Sequence, residues 1–234
     1  MRRPGCLLLA LLLSAPAAAG EGASLPDYAA SYSVSWGSMG LGEARFELQH
    51  SGDDCYRYES VTEPAGLVKM FYGTPRETSE FCVVDGALRS RLMEFSNPKK
   101  NDAFQLRFDW DAGTVSGPGE QQRELPADAV DRHSLQQAVR LWLLSGAADK
   151  DDAERTWSMV EDDRIKPYTF RRVGPETVRL GKREFDALRV DRVDDPKKSV
   201  RFWLDPAAAY RILRFEQQKA DKPVVRMEWI PTAD

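Results

Sequence analysis

The chain reads as mainly β: a single large curved antiparallel sheet or half-open β barrel with one amphipathic helix packed on it. Three observations predict this. Apolar and polar residues alternate with period two over most of the sequence, as in strands with one buried face. Turn residues recur between those segments at short, even intervals. Only residues 132–144 carry apolar side chains at three- and four-residue spacing. About a dozen strands in one sheet curl or close rather than stay flat.

The elements follow in order. Tyr28, Ala30, Tyr32, Val34 and Trp36 share one strand face; Gly37, Gly40 and Gly42 permit a turn, and Ala44, Phe46 and Leu48 resume the apolar face. Tyr56 and Tyr58 open a third strand that ends near Pro64. Residues 67–72 have no clear period between Gly66 and Gly73, which predicts an apolar loop or a helical turn. Alternation returns over 77–84, and Asp85-Gly86 predicts a type I′ hairpin, since both central residues of that turn need positive φ. The partner strand spans 88–95. Phe104, Leu106, Phe108 and Trp110 alternate with polar residues in the cleanest amphipathic strand, and residues 116–124 have the composition of an exposed connection. Leu135, Ala138, Val139 and Trp142 then form a helical stripe, with Asp131 placed to cap it and Gly146 to end it. Short strands are expected at 156–160, 168–173, 177–180, 185–190, 200–204, 210–216 and 224–230. Asp162-Asp163, Gly174-Pro175, Gly181-Lys182, Asp194-Asp195-Pro196, Asp205-Pro206 and Asp221-Lys222-Pro223 separate them.

The first residues predict export. Arg2 and Arg3 precede an apolar run, Leu7 to Leu13, and Ala17-Ala18-Ala19 supplies small residues for cleavage, the layout of a secretory signal. The run is far shorter than the roughly 20 apolar residues that cross a bilayer. The reading is a signal peptide at 1–19, cleaved near Ala19, and a single β-rich domain at 20–234 that works in the periplasm. Losing Arg2 and Arg3 from 33 basic residues leaves 31 against 37 acids, a formal charge of -6 in place of -4. That mildly acidic balance has no electrostatic footprint for nucleic acid. Cys55 and Cys82 remain as an even pair, which in an oxidising compartment reads as a disulfide worth roughly 3 to 4 kcal/mol in the chain-entropy model.

Catalytic groups are sparse. His50 and His133 lie in no ligand-type cluster, so neither a metal nor another cofactor is expected. Asp131, His133 and Ser134 sit on one turn, where a hydrolase triad does not converge, and helix capping accounts for them. The acidic pairs Asp53-Asp54, Asp151-Asp152, Asp162-Asp163 and Asp194-Asp195 fall in turns with no calcium loop around them.

The Gly-rich first hairpin, the Asp131-x-x-Ser134-Leu135 helix start and the late hairpin Phe202-Trp203-Leu204-Asp205 to Tyr210-Arg211-Ile212-Leu213-Arg214-Phe215-Glu216 resemble an exported proteobacterial family, catalogued as domain of unknown function 3108. The resemblance implies a fold and an exported location, and no activity. The expected function is non-enzymatic. An apolar ligand, a lipid acyl chain or a hydrophobic peptide segment, would enter the concave face, with Phe104, Phe108, Trp110, Leu135, Trp142 and Phe202 as the candidate pocket. The alternatives are an envelope assembly or interaction factor working with an envelope protein, or a carboxylate-dependent hydrolase of envelope glycan or peptide.

Overall fold

The computed structural model describes residues 24–120 and 122–231; the expected leader, 1–19, lies outside them. The first half runs β1 (Tyr28–Trp36), β2 (Met39–Gly52), β3 (Cys55–Pro64), α1 (Gly66–Tyr72), β4 (Arg76–Val84), β5 (Ala87–Asn97), β6 (Asp102–Asp109), β7 (Thr114–Ser116) and β8 (Gln122–Glu124). The second half runs β9 (Ala129–Asp131), α2 (Leu135–Leu144), β10 (Glu154–Val160), β11 (Ile165–Leu180), β12 (Arg183–Arg192), β13 (Lys198–Asp205), β14 (Arg211–Lys219) and β15 (Val225–Trp229).

All these strands join one curved sheet, and every neighbouring pair is antiparallel except β9 with β10. The order is two meanders that share a middle. One runs outward from β1 to β8 and the other from β15 to β9, and β1 pairs with β15, Tyr32 opposite Trp229. The edges β8 and β9 are therefore consecutive in the chain. They close on each other through side chains: Met93, Leu106, Phe108 and Val115 of one wall pack with Leu125, Ala129 and Val160. Arg123 adds a bond from Nη1 to the Glu161 carbonyl at 2.9 Å.

Turn chemistry places the hairpins. Asp85 and Gly86 have φ of 51° and 74° between Val84 and Ala87, which face each other in register, so this is the two-residue turn expected. Cys55 and Cys82 are bonded directly across β3 and β4. Two expectations need correcting. Gly174-Pro175 is no turn: β11 runs through it, with a register shift at Val173, between Arg172 and Gly174, and Pro175 in register opposite Leu188. Residues 116–124 are more than a connection, since β7 and β8 pair there, Ser116 with Gln122.

α2 lies inside the sheet's curve, against its concave side. Its apolar stripe is joined in burial by Gln137 and Arg140, so eight of its ten residues are buried. The Asp131 carboxylate takes the backbone N–H groups of His133 and Ser134, both at 2.8 Å, and stabilises the turn that leads into the helix. Trp142, at the far end of the helix, meets Trp157 edge-on at 6.0 Å.

Because strands alternate in direction, the connections β1–β2, β3–β4, β5–β6, β10–β11, β12–β13 and β14–β15 share one end, here called the upper end. The Asp85-Gly86 turn and the Trp142 end of α2 lie at the lower end. Among the described residues no helix is long and apolar enough to cross a membrane.

Candidate functional site

Above the N-terminus of α2 the curved sheet encloses a cavity of about 520 Å³. Its floor is apolar: Met93 and Leu106 from the first half, Leu135 from α2, and Met159, Phe170, Val200, Phe202 and Phe215 from the second. The rings continue one another across neighbouring strands, Phe170 to Phe202 at 5.8 Å and Phe202 to Phe215 at 5.2 Å between centroids. These residues face inward because alternate positions on each strand point to the concave side.

The rim is charged. Glu77 accepts from Arg132 Nη2 at 3.0 Å and Nε at 3.3 Å, and the Arg132 guanidinium covers the Phe95 and Phe104 rings at 5.1 and 5.2 Å. Across the mouth, Glu161 accepts from Arg164 Nε at 2.6 Å and from the Tyr168 hydroxyl at 3.0 Å. Burial pushes the Glu77 carboxyl up, against the pull of Arg132. Burial also acts on Glu161, but the bonds from Arg164 and Tyr168 outweigh it and hold that carboxyl down. Lys198 is different. Burial, then the charges of Arg192 and Lys219, push its ammonium pKa down against the weaker pull of Glu161 and Asp195, and among the described residues no carboxylate is bonded to it. Beside it Arg164, Lys166, Arg192, Lys197 and Lys219 line a basic recess in which Glu161 and Asp195 are the acids.

His133 supplies the one buried polar atom of the wall that lacks a partner. Its ring stacks on Tyr58 at 4.3 Å and on Phe46 at 6.0 Å, its Nδ1 stands 3.7 Å from Glu77, and its buried Nε2 has no hydrogen-bond partner. Burial, with the Arg132 charge beside it, lowers its pKa to about 3, so the ring is neutral.

A polar chain fixes the helix under this cavity. Arg140 Nη1 donates to Gln137 Oε1 at 2.7 Å, Gln137 Nε2 to the Tyr28 hydroxyl at 3.1 Å, Tyr28 to the Tyr58 hydroxyl at 3.2 Å, and Tyr58 to Gln136 Oε1 at 3.0 Å. Gln136 lines the cavity. Arg140 itself meets no carboxylate; its charge rests on the Ala209 carbonyl, at 3.1 and 3.0 Å, and on the Tyr28 ring at 4.6 Å. Such a charge is tolerable when it is hydrogen-bonded, as here from all three of its nitrogens.

Of the six residues expected to form a pocket, the structure brings together Phe104, Leu135 and Phe202. Phe108 is packed in the seam between the two sheet edges. It shares a strand face with Phe104, but four residues of strand carry it about 13 Å toward the lower end. Trp110 donates its indole N–H to the Ser90 carbonyl at 2.7 Å, and Trp142 fills the base of α2. Phe170 and Phe215 are aromatics within expected strands, and Lys197-Lys198 reads in the sequence as a basic pair able to meet phosphate or as a merely solvated turn; Glu77, Arg132 and Met159 carried no signal. Asp131, His133 and Ser134 form no triad, since Asp131 holds backbone N–H groups and Ser134 shares its hydroxyl with Ser90 at 2.8 Å. Among the described residues no three His, Cys, Asp or Glu side chains gather as a metal site.

The fold is similar to that of a β-barrel-like protein of domain of unknown function DUF1849 from Brucella abortus, known from a crystal structure. That likeness covers 91% of this chain and all of the other, at 14% identity and a TM-score of 0.58. No curated protein matches the sequence. The model of the family described as "Protein of unknown function (DUF3108)" matches residues 31–228, the span from β1 to β15 that builds both cavity walls, and to that family the chain belongs.

Proposed function

We propose that the protein is a non-enzymatic binder of an amphipathic lipid-like molecule, working in an oxidising compartment of the cell envelope. The acyl chain lies on the aromatic floor and the anionic end sits at the basic rim. The observation that carries this reading is the cavity itself, a half-open volume with an apolar floor and a charged rim, in the range of small-ligand sites, with Lys198 at its mouth and one unpartnered imidazole nitrogen in its wall. Burying an acyl chain contributes about 0.8 kcal/mol per methylene, while Lys198 orients the polar end. The Cys55–Cys82 bond and the apolar run at 7–13 support the location. A fluorescent acyl probe tests the reading. The wild type should bind it with micromolar affinity or better, and Val200→Trp, which fills the floor, should weaken binding at least tenfold while its circular dichroism is unchanged. Absence of probe binding, with no lipid released from the isolated protein by organic extraction, would sink the proposal.

One observation favours a second reading, a hydrolase. Glu77 and Glu161 face the same cavity with their carboxyl groups pushed in opposite directions, as an acid and base pair requires. Each is also locked to an arginine, which a general acid or nucleophile must shed. Turnover of an envelope glycan that disappears in Glu77→Gln would establish this reading over the first.

A further inference from the structure

The connection at the upper end between β3 and β4 is α1, and it is built inside out. None of its seven residues is buried, and Leu67 and Phe71 are 73% and 75% exposed. Met70 and Tyr72 are exposed beside them, and so are Trp36 and Met39 on the neighbouring β1–β2 turn, which is tied to α1 by the Ala65 N–H bonding the Leu41 carbonyl at 2.8 Å. Among the described residues, six of the nine large exposed apolar side chains thus gather on two adjoining loops.

α1 is held in this pose. The Asn97 side-chain amide donates to the Tyr72 carbonyl at 2.8 Å, and Lys100 reaches over the Tyr72 ring at 5.4 Å. Gly73, with φ of 79°, makes the approach possible, because a Cβ there would stand 2.4 Å from Asn97 Oδ1 and 2.7 Å from Lys99 Cβ. Gly42 does the same on the other side, where a Cβ would lie 2.2 Å from the Glu63 carbonyl. An apolar knob that is fixed and uncovered has a cost in water, so an occupant is implied.

Its charge says which. α1 contains no acid, and Lys69 on the helix is joined by Lys99 and Lys100 on the adjoining Pro98–Lys100 turn, with Glu63 and Asp102 at the margins. This basic fringe stands on a chain of net charge -4. The seven residues of α1 are also far fewer than the roughly 20 to 30 a side that a stable protein interface uses. Apolar side chains fringed by lysines match the boundary of an anionic bilayer, where the rings enter the headgroup layer and the amines meet phosphate.

We propose that α1, with Lys69, Lys99 and Lys100, docks the molecule on the surface of an anionic lipid membrane. The proposal does not depend on what fills the cavity, since no residue of α1 lines it.

Flotation with phosphatidylglycerol-containing and pure phosphatidylcholine vesicles tests it, on the chain as isolated. All variants share the wild-type N-terminus, so the apolar run at 7–13 contributes equally to each. The wild type should float with the anionic vesicles, less so in 0.5 M salt, and at least tenfold more weakly with phosphatidylcholine. Leu67→Ser/Phe71→Ser should lose at least tenfold in affinity with its thermal midpoint unchanged, because neither side chain is packed. Lys99→Gln/Lys100→Gln should lose about fivefold per lysine. Equal flotation of the double-serine variant, equal binding to both lipids, or no binding by the wild type would overturn the proposal. So would a dimer in solution that the double-serine variant abolishes, which makes a second copy the occupant.

Discussion

At the scale of single residues, the molecule keeps its polar groups inside by matching them to partners from remote strands. Among the described residues the exceptions are Asn97 Oδ1, Arg123 Nη2, Arg211 Nε and, the one that bears on pH, His133 Nε2. The His133 imidazole is neutral in the fold, with a pKa near 3, while an unfolded chain protonates histidine below about pH 6.5. The unfolded state therefore binds the extra proton. Stability from this group is complete above about pH 6.5 and is lost as pH falls toward 3, by roughly 4 to 5 kcal/mol over the window. Glu77 acts in the opposite sense. Its raised carboxyl stabilises the fold at pH below the ordinary glutamate value, and that contribution fades as pH climbs through the raised one. His133→Phe keeps the stack on Tyr58 and removes the proton site, so urea midpoints measured from pH 7 to pH 4 should fall less steeply than in the wild type. The same slope in both proteins would refute the assignment. Little of this was legible beforehand. Cys55 and Cys82 could be paired from their number alone, but the surroundings of His133 come from Phe46, Tyr58 and Glu77, far away in sequence.

At the scale of elements, alternation announced the long strands and a helical stripe announced α2, because those patterns last eight residues or more. Three-residue strands cannot show a period, so β7, β8 and β9 stayed hidden. Gly174-Pro175 misled because the dipeptide that makes a turn also makes a bulge. The position of α2 on the concave side was legible, but the depth of its burial was not. Gln137 and Arg140 look like a solvent face, yet Tyr28 and the Ala209 carbonyl satisfy them inside. The β3–β4 hairpin depends on one covalent tie, opposite α1. Replacing Cys55 and Cys82 by serine should lower unfolding free energy by about 3 to 4 kcal/mol in the chain-entropy model, as urea denaturation would show. A change under 1 kcal/mol would mean that the ladder alone holds the hairpin.

At the scale of the molecule, period-two patterning was enough to predict one curved sheet with a greasy interior, because curvature follows from strand number and twist. Which strands meet at the middle was illegible, since β1 and β15 pair across almost the whole chain. That pairing places Ser31 and Ile230 within one hydrogen bond of each other, 2.8 Å from nitrogen to oxygen, while the seam between β8 and β9 is closed by side chains. A circular permutant that joins the two ends through a short linker and opens the chain at Ala127, between the unpaired edges β8 and β9, should fold to the same sheet. Its stability should be within about 2 kcal/mol of the parent, since the new ends fall where no ladder crosses. Loss of its β-type circular dichroism would show that the seam, and not the middle ladder, organises the fold. The same pairing sets an order on biosynthesis. Until Val225–Trp229 has been made, β1 and β14 are both bare edges in the centre of an unfinished sheet, so an incomplete chain offers two templates for aggregation and the finished one offers neither.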